Sequence, residues 1–360
     1  MTGRRRSTVV AALAISATTL LSACTAAEAA SVPKTTGTTG TPATALRLGY
    51  FDNVTHGPAL VGLQSGILQK ALGGTKLSAE KFSAGPTEIE ALSAGAIDAA
   101  YIGPSPAINS YIKSGGQSLK IVAGATNGGA ELVVAPSITS AADLKGKTLA
   151  SPQLGNTQDV ALRYWLSTKG YKTQVTGSGD VTINPTDNAQ TFALFKTGKL
   201  DGAWLPEPWA STLVVQANAK VLVNEARLWP HGSFPTTVLV VSQQFLTAHP
   251  TTVAALVKGN ADSIAWLNAH KADAASVLNA KLTADTGKPL AAAVIDRALN
   301  NVTFSNDPAA STYATLVSHA VKVGTGKTGS IAALFDLSAL NALQKKAGLP
   351  AISASGDGSE

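Results

Sequence analysis

The chain has 360 residues, is 45% hydrophobic, and carries 28 Lys and Arg against 22 Asp and Glu, a formal charge of +6. That length allows two domains with cores of their own. Arg4, Arg5 and Arg6 account for much of the excess, and no basic stripe interleaved with aromatics remains to suggest nucleic acid. The single cysteine, Cys24, excludes an intramolecular disulfide and a cysteine metal cluster.

The chain opens on a basic cluster, an apolar stretch over 9–21, and Leu21-Ser22-Ala23-Cys24. A span across a bilayer takes about 20 apolar residues, so this reads as a processed signal peptide, residues 1–23. Leu-Ser-Ala-Cys resembles the bacterial lipobox, which implies lipidation at Cys24 and a place on the extracytoplasmic face of the cell membrane. Residues 24–45, rich in Thr, Gly, Ala and Pro, read as a flexible tether.

Folded structure is expected from 46–50, an alternating strand, then a corner holding Asn53 and His56 before a helix over 59–72. A strand over 76–82 leads to Gly85-Pro86-Thr87, a helix start with Glu88 and Glu90 in its first turn. Next comes Gly-Ala-Ile-Asp-Ala-Ala-Tyr-Ile-Gly-Pro-Ser-Pro-Ala over 95–107. It returns over 198–210 as Gly-Lys-Leu-Asp-Gly-Ala-Trp-Leu-Pro-Glu-Pro-Trp-Ala. Gly95 aligns with Gly198, Asp98 with Asp201, Ala100 with Ala203, and Tyr101 with Trp204. In each copy an apolar helix ends on a Gly suited to the left-handed position. A short strand follows, then a Pro-rich corner that opens the next helix.

Such corners present free amides and the positive end of a helix dipole, so they suit an anion or polar ligand. A period of about 100 residues exceeds that of solenoid units and predicts two α/β lobes facing across a cleft. Asp98 and Asp201 are expected at the far end from the cleft, terminating helices.

Further along, Ser140 and Asp143 form a capping-box pattern. The strand at 147–150 then restarts the lobe, with a corner holding Asn156, Thr157 and Gln158 before a helix over 160–169. Residues 131–136 and 237–242 read as the two crossings between lobes. Lobe 1 is then 46–136 with 237–350, and lobe 2 is 137–236. From His249 the pattern is helical: Val253, Leu256, Val257, Ile264 and Leu267 share one face at period 3.6. Residues 351–360 read as a frayed tail.

Enzyme readings fail on their own chemistry. Ser105 sits as in a nucleophile elbow, but the next residue, Pro106, has no N–H for an oxyanion hole. Gly326-Lys327-Thr328 lacks the earlier Gly of a phosphate loop, because position 321 is Val. The five histidines show no metal-ligand spacing. No catalytic residue, cofactor or metal is expected.

With these motifs in place, the chain resembles bacterial ABC-transporter solute-binding lipoproteins, most closely the nitrate, sulfonate and taurine group. The resemblance rests on Asn53-Val-Thr-His56-Gly-Pro, Gly85-Pro86-Thr-Glu-Ile-Glu, Gly103-Pro-Ser-Pro-Ala, Asp143-Leu-Lys-Gly-Lys-Thr, Gly155-Asn-Thr-Gln-Asp159 and Ala203-Trp-Leu-Pro-Glu-Pro-Trp209. It implies a type II periplasmic-binding fold that closes on a small organic anion and hands it to permease subunits, as a monomer and without chemistry.

The ligand residues it implies are Asn53, His56, Gly85, Pro86, Ser105, Asn156, Thr157, Gln158, Trp204, Glu207 and Trp209. Glu207 is open between a substrate amine and an interlobe salt bridge. An aliphatic sulfonate is the leading ligand; nitrate is an alternative. A thiamine pyrimidine precursor, stacked on Tyr101, Trp204 and Trp209, is another, as is a pyrimidine-synthesising enzyme on the same fold.

Overall fold

The computed structural model describes residues 40–355. The signal peptide, Cys24 and residues 25–39 of the tether lie outside them, as do residues 356–360. Two sheets hold the described chain together. The first has six strands: β1 (Ala45–Phe51), β2 (Lys76–Phe82), β3 (Ala99–Ile102), β4 (Leu119–Gly128), β10 (Pro235–Ser242) and β11 (Val302–Phe304). The second has five: β5 (Ala130–Val134), β6 (Thr148–Ser151), β7 (Thr182–Pro185), β8 (Gly202–Pro206) and β9 (Lys220–Asn224).

Their strand orders are β11-β4-β10-β3-β1-β2 and β7-β6-β8-β5-β9. Beyond the added β11, each sheet runs in one pattern: β2-β1-β3-β10-β4 matches β7-β6-β8-β5-β9. In both, the first three strands are parallel and a fourth, β10 or β5, is antiparallel to them. The registers agree as well. Gly49 lies opposite Ala100, and Ala150 lies opposite Ala203, the alanine pair that the sequence repeat aligns.

Asp98 and Asp201 do equivalent work, but at strand starts rather than as helix terminators. The Asp98 carboxylate accepts the Arg47 amide at 2.8 Å, and that of Asp201 accepts the Thr148 amide at 2.8 Å. Each thereby fixes the register of its own strand against its neighbour. The preceding helices, Gly85–Ser93 and Asn188–Lys196, are closed instead by Gly95 and Gly198, at φ of +68° and +69°. A side chain would strain the backbone there.

The chain crossings fall one strand away from their expected positions. Glu131–Val134 is part of β5, inside the second sheet, and Thr237–Ser242 is part of β10, inside the first. The crossings therefore lie at 128–130, through Gly128 and Gly129 (both φ +75°), and at 224–235. An apolar run in a sequence looks the same whichever sheet it joins.

The expected helix over 59–72 is broken into Gly57–Gln64 and Ile67–Leu72 by Gly66 at φ +68°. Ile352, placed in the frayed tail, exchanges two hydrogen bonds with the Asn341 side chain, at 2.8 and 3.0 Å.

The first sheet packs its apolar face on helix Pro250–Ala269, where Val253, Leu256, Val257, Ile264 and Leu267 are all buried, as their spacing predicts. Helix Ala292–Asn300 then reaches across to helix Trp209–Gln216 of the second sheet. From it Arg297 donates to Glu207 at 3.1 Å, to Ser211 Oγ at 2.8 Å and to Glu131 at 2.7 Å. Asn301 adds a bond to Glu207 at 2.7 Å.

Both acids are almost fully buried, at 4% and 0% side-chain exposure, while Arg297 keeps 25%. Removing the cation leaves two carboxylates without a counter-ion in a dry place. Arg297→Met is expected to cost about 3 kcal/mol of stability, read as a lower urea midpoint at unchanged slope.

Candidate functional site

The carboxyl ends of the parallel strands in both sheets lead into helices, and four of these starts meet at one cavity. From β1 the chain turns through Asn53, Thr55 and His56 into helix Gly57–Gln64. Gly103 follows β3 and opens helix Pro104–Lys113. Asn156 immediately precedes helix Thr157–Thr168, and Asn188 begins helix Asn188–Lys196. Phe51, Ser83, Pro152, Pro206 and Thr236 complete the wall.

The enclosed volume is about 20 Å³, room for one water molecule. No wall residue carries a formal charge at neutral pH. The positive ends of the helices and uncharged donors set its electrostatics.

His56 is the only titratable group in that wall. Its Nδ1 accepts the Phe51 amide at 3.2 Å, so the neutral ring carries its proton on Nε2. Burial lowers its pKa to about 3. The unfolded ring protonates near pH 6.5, so unfolding takes up a proton at any pH between those values. Stability therefore falls as pH drops from about 6.5 toward 3, by up to about 1.4 kcal/mol per unit. His56→Asn is expected to flatten that acid limb; urea midpoints at pH 6, 5 and 4 that decline as in the parent chain would contradict a buried neutral ring.

Across the cavity the two sheets already bond to each other. Gly85 N–H donates to Asn156 Oδ1 and Ser105 N–H to Thr157 Oγ1, both at 3.3 Å. Trp209 Nε1 donates to Asn53 Oδ1 at 3.0 Å, and the Thr55 amide to the Glu207 carbonyl at 3.3 Å. The helix-start amides are thus paired with side chains from the facing sheet, in a closed arrangement. Gly103 allows this approach, because a Cβ there would stand 2.6 Å from Thr157 Oγ1.

Of the residues singled out in the sequence, Asn53, His56, Asn156, Thr157 and Gln158 line the cavity. Gly85 and Ser105 touch it only through their bonds to Asn156 and Thr157. Ser105 Oγ is buried without a partner. Pro86 faces an outer groove shared with Pro106 and Leu154, and the Thr87 hydroxyl beside it donates to the Ala84 carbonyl.

Three expectations are corrected. Trp204 is fully buried in the core of the second sheet with its N–H on Glu225 at 2.7 Å. Tyr101, its partner in the repeat, is equally buried in the first, so neither ring offers a stacking face. Of the two roles left open for Glu207, its carboxylate takes the salt bridge, with Arg297 at 3.1 Å. Trp209 bridges the sheets rather than facing the cavity. Phe51, Asn188 and Thr236 were missed; Thr236 comes from β10, far along the chain, and nothing local in its sequence marks it.

This architecture is shared with solved periplasmic binding proteins. It superposes on the nitrate-binding protein NrtA of Synechocystis PCC 6803 with a TM-score of 0.74, at 17% identity, covering 87% of this chain and 91% of that one. The alkanesulfonate-binding protein SsuA of Xanthomonas axonopodis pv. citri, bound to MOPS, gives 0.65 at 23% identity, over 79% and 93%.

The chain belongs to the NMT1-like family, whose model matches residues 39–282. Among curated relatives, a binding protein of Brucella abortus is 28% identical over 178 residues, 49% of this chain and 52% of its own. The taurine-binding periplasmic protein of Escherichia coli K12 is 27% identical over 209 residues, 57% and 62%. The match to the first of these relatives thus spans about half its length.

Proposed function

We propose that this chain is the solute-binding component of an ABC importer. It closes two lobes over a small organic anion, foremost an aliphatic sulfonate of the taurine kind, and delivers it to a permease without chemical change. Lipidation at Cys24, an extracytoplasmic site, action as a monomer and the two-lobe division belong to the same proposal.

One observation carries it: four helix starts converge on a wall that has hydrogen-bond donors and no formal charge. A sulfonate is a strong acid's anion, so it needs donors rather than a titrating partner. A partly buried charge at one helix start gains up to about 2 kcal/mol, and micromolar affinity requires about 8. Four starts are of the right order. The family membership and the taurine-binding relative support the same choice.

The small cavity favours a second reading, in which a compact oxoanion such as nitrate is the ligand. A sulfonate with an aliphatic tail requires the lobes to part further than they stand here. Thermal-shift measurements against taurine, ethanesulfonate, nitrate and an aminopyrimidine separate these. Stabilisation by the sulfonates is expected. A shift with nitrate alone would favour the second reading, and one with the heterocycle alone would overturn both.

A further inference from the structure

Away from the cleft, and sharing no wall residue with it, lies a cavity of about 390 Å³. Its walls come from three places. Tyr164 and Trp165 stand on helix Thr157–Thr168, Glu225 and Trp229 on the turn after β9, and His319 on helix Tyr313–Lys322. The chain is poor in aromatics, yet Trp165, Trp204 and Trp229, three of its five tryptophans, gather here.

Glu225 is 2% exposed, and its Oε2 accepts the Trp204 indole N–H at 2.7 Å. Among the described residues no Lys, Arg or His forms an ion pair with it. Burial lifts its pKa to about 7. A carboxylate held by the Trp204 and Trp229 side chains, at the wall of a cavity and lacking a counter-ion, lowers its remaining desolvation cost by taking a cation from solution.

The rings supply the rest of such a site. Cations sit favourably over the faces of Trp and Tyr; Lys169 Nζ lies 5.6 Å from the Trp165 centroid, while Tyr164 is taken up by Lys322 Nζ, 4.9 Å from its centroid, and by a stacked histidine. His319 stacks on Tyr164 at 3.4 Å and stands 5.7 Å from Trp229. Its pKa is lowered to about 4 by burial and by the nearby charge of Lys322, so at neutral pH it contributes a ring and no charge. The volume falls in the range of small-molecule sites.

We propose that this aromatic pocket is a second ligand site, built for a small alkylammonium cation held between Trp165 and Trp229 with Glu225 as its counter-ion. It stands independently of which anion the cleft takes.

The test titrates the full chain with choline and, separately, with 3,3-dimethylbutan-1-ol, its uncharged isostere, following tryptophan fluorescence. Saturable binding of choline is expected, with the isostere weaker by about tenfold. Glu225→Gln is expected to bind choline about tenfold more weakly, while the cleft variant Thr157→Val binds it as the parent does. Equal binding of the isostere, or no saturation by choline, overturns the site without recourse to any variant. Choline binding lost in Thr157→Val would place the cation in the cleft and overturn it as well.

Discussion

Arg163→Met is expected to lower stability by about 3 to 5 kcal/mol, the largest effect of any single substitution considered. Arg163 and Asp159 are both fully buried, one helical turn apart on Thr157–Thr168, with Nε 3.0 Å from each carboxylate oxygen. Arg163 also donates to the Gln174 carbonyl at 2.6 Å. Asp159 in turn accepts from Ser151 Oγ at 2.7 Å and from the Gly155 amide at 3.0 Å.

Removing the guanidinium strands a carboxylate in the interior and frees the corner that carries Asn156 and Thr157. Urea unfolding should show a lower midpoint with the slope preserved. The double variant Asp159→Leu, Arg163→Met should recover only part of the loss. It removes the buried charge, but it also leaves Ser151 and Gly155 without their acceptor. A single variant as stable as the parent would mean that water reaches this pair.

Thr157→Val is expected to weaken binding of the cleft ligand by about 10- to 100-fold, the range for losing one hydrogen bond to a charged group. The shape of the side chain is nearly kept, so the loss isolates the hydroxyl. Thr157 Oγ1 stands at a helix start, against Gly103, and accepts the Ser105 amide in the closed arrangement. Its removal costs the site a polar contact and costs closure a cross-sheet bond. Isothermal titration with whichever anion gives the largest thermal shift measures the change; unaltered affinity would take Thr157 out of the site.

The repeat was legible because its signals are local: a Gly after a helix, an Asp at a strand start, a Pro at the next helix. The paired registers at Gly49–Ala100 and Ala150–Ala203 follow directly from it. Asn156 and Thr157 were legible for the same reason, since a corner between strand and helix declares itself within a few residues.

What escaped depends on distance along the chain. Trp204 and Tyr101 looked like ligand-facing aromatics, because one strand's sequence cannot say which of its faces another layer will cover. The partnership of Glu207 with Arg297 joins residues 90 apart, and only packing reveals it. The crossings were misplaced because β5 and β10 are antiparallel insertions, and their apolar character identifies a strand without naming its sheet.

Those two insertions also fix the order in which a growing polypeptide can acquire structure. The second sheet draws all five strands from one uninterrupted segment, 130–224, and can assemble as soon as that segment is available. In the first, β3 and β4 meet only through β10, which is synthesised more than a hundred residues later. A chain delivered from its N-terminus therefore has every strand of the second sheet before it has β10, and the first sheet stays open along its middle until residue 242 follows.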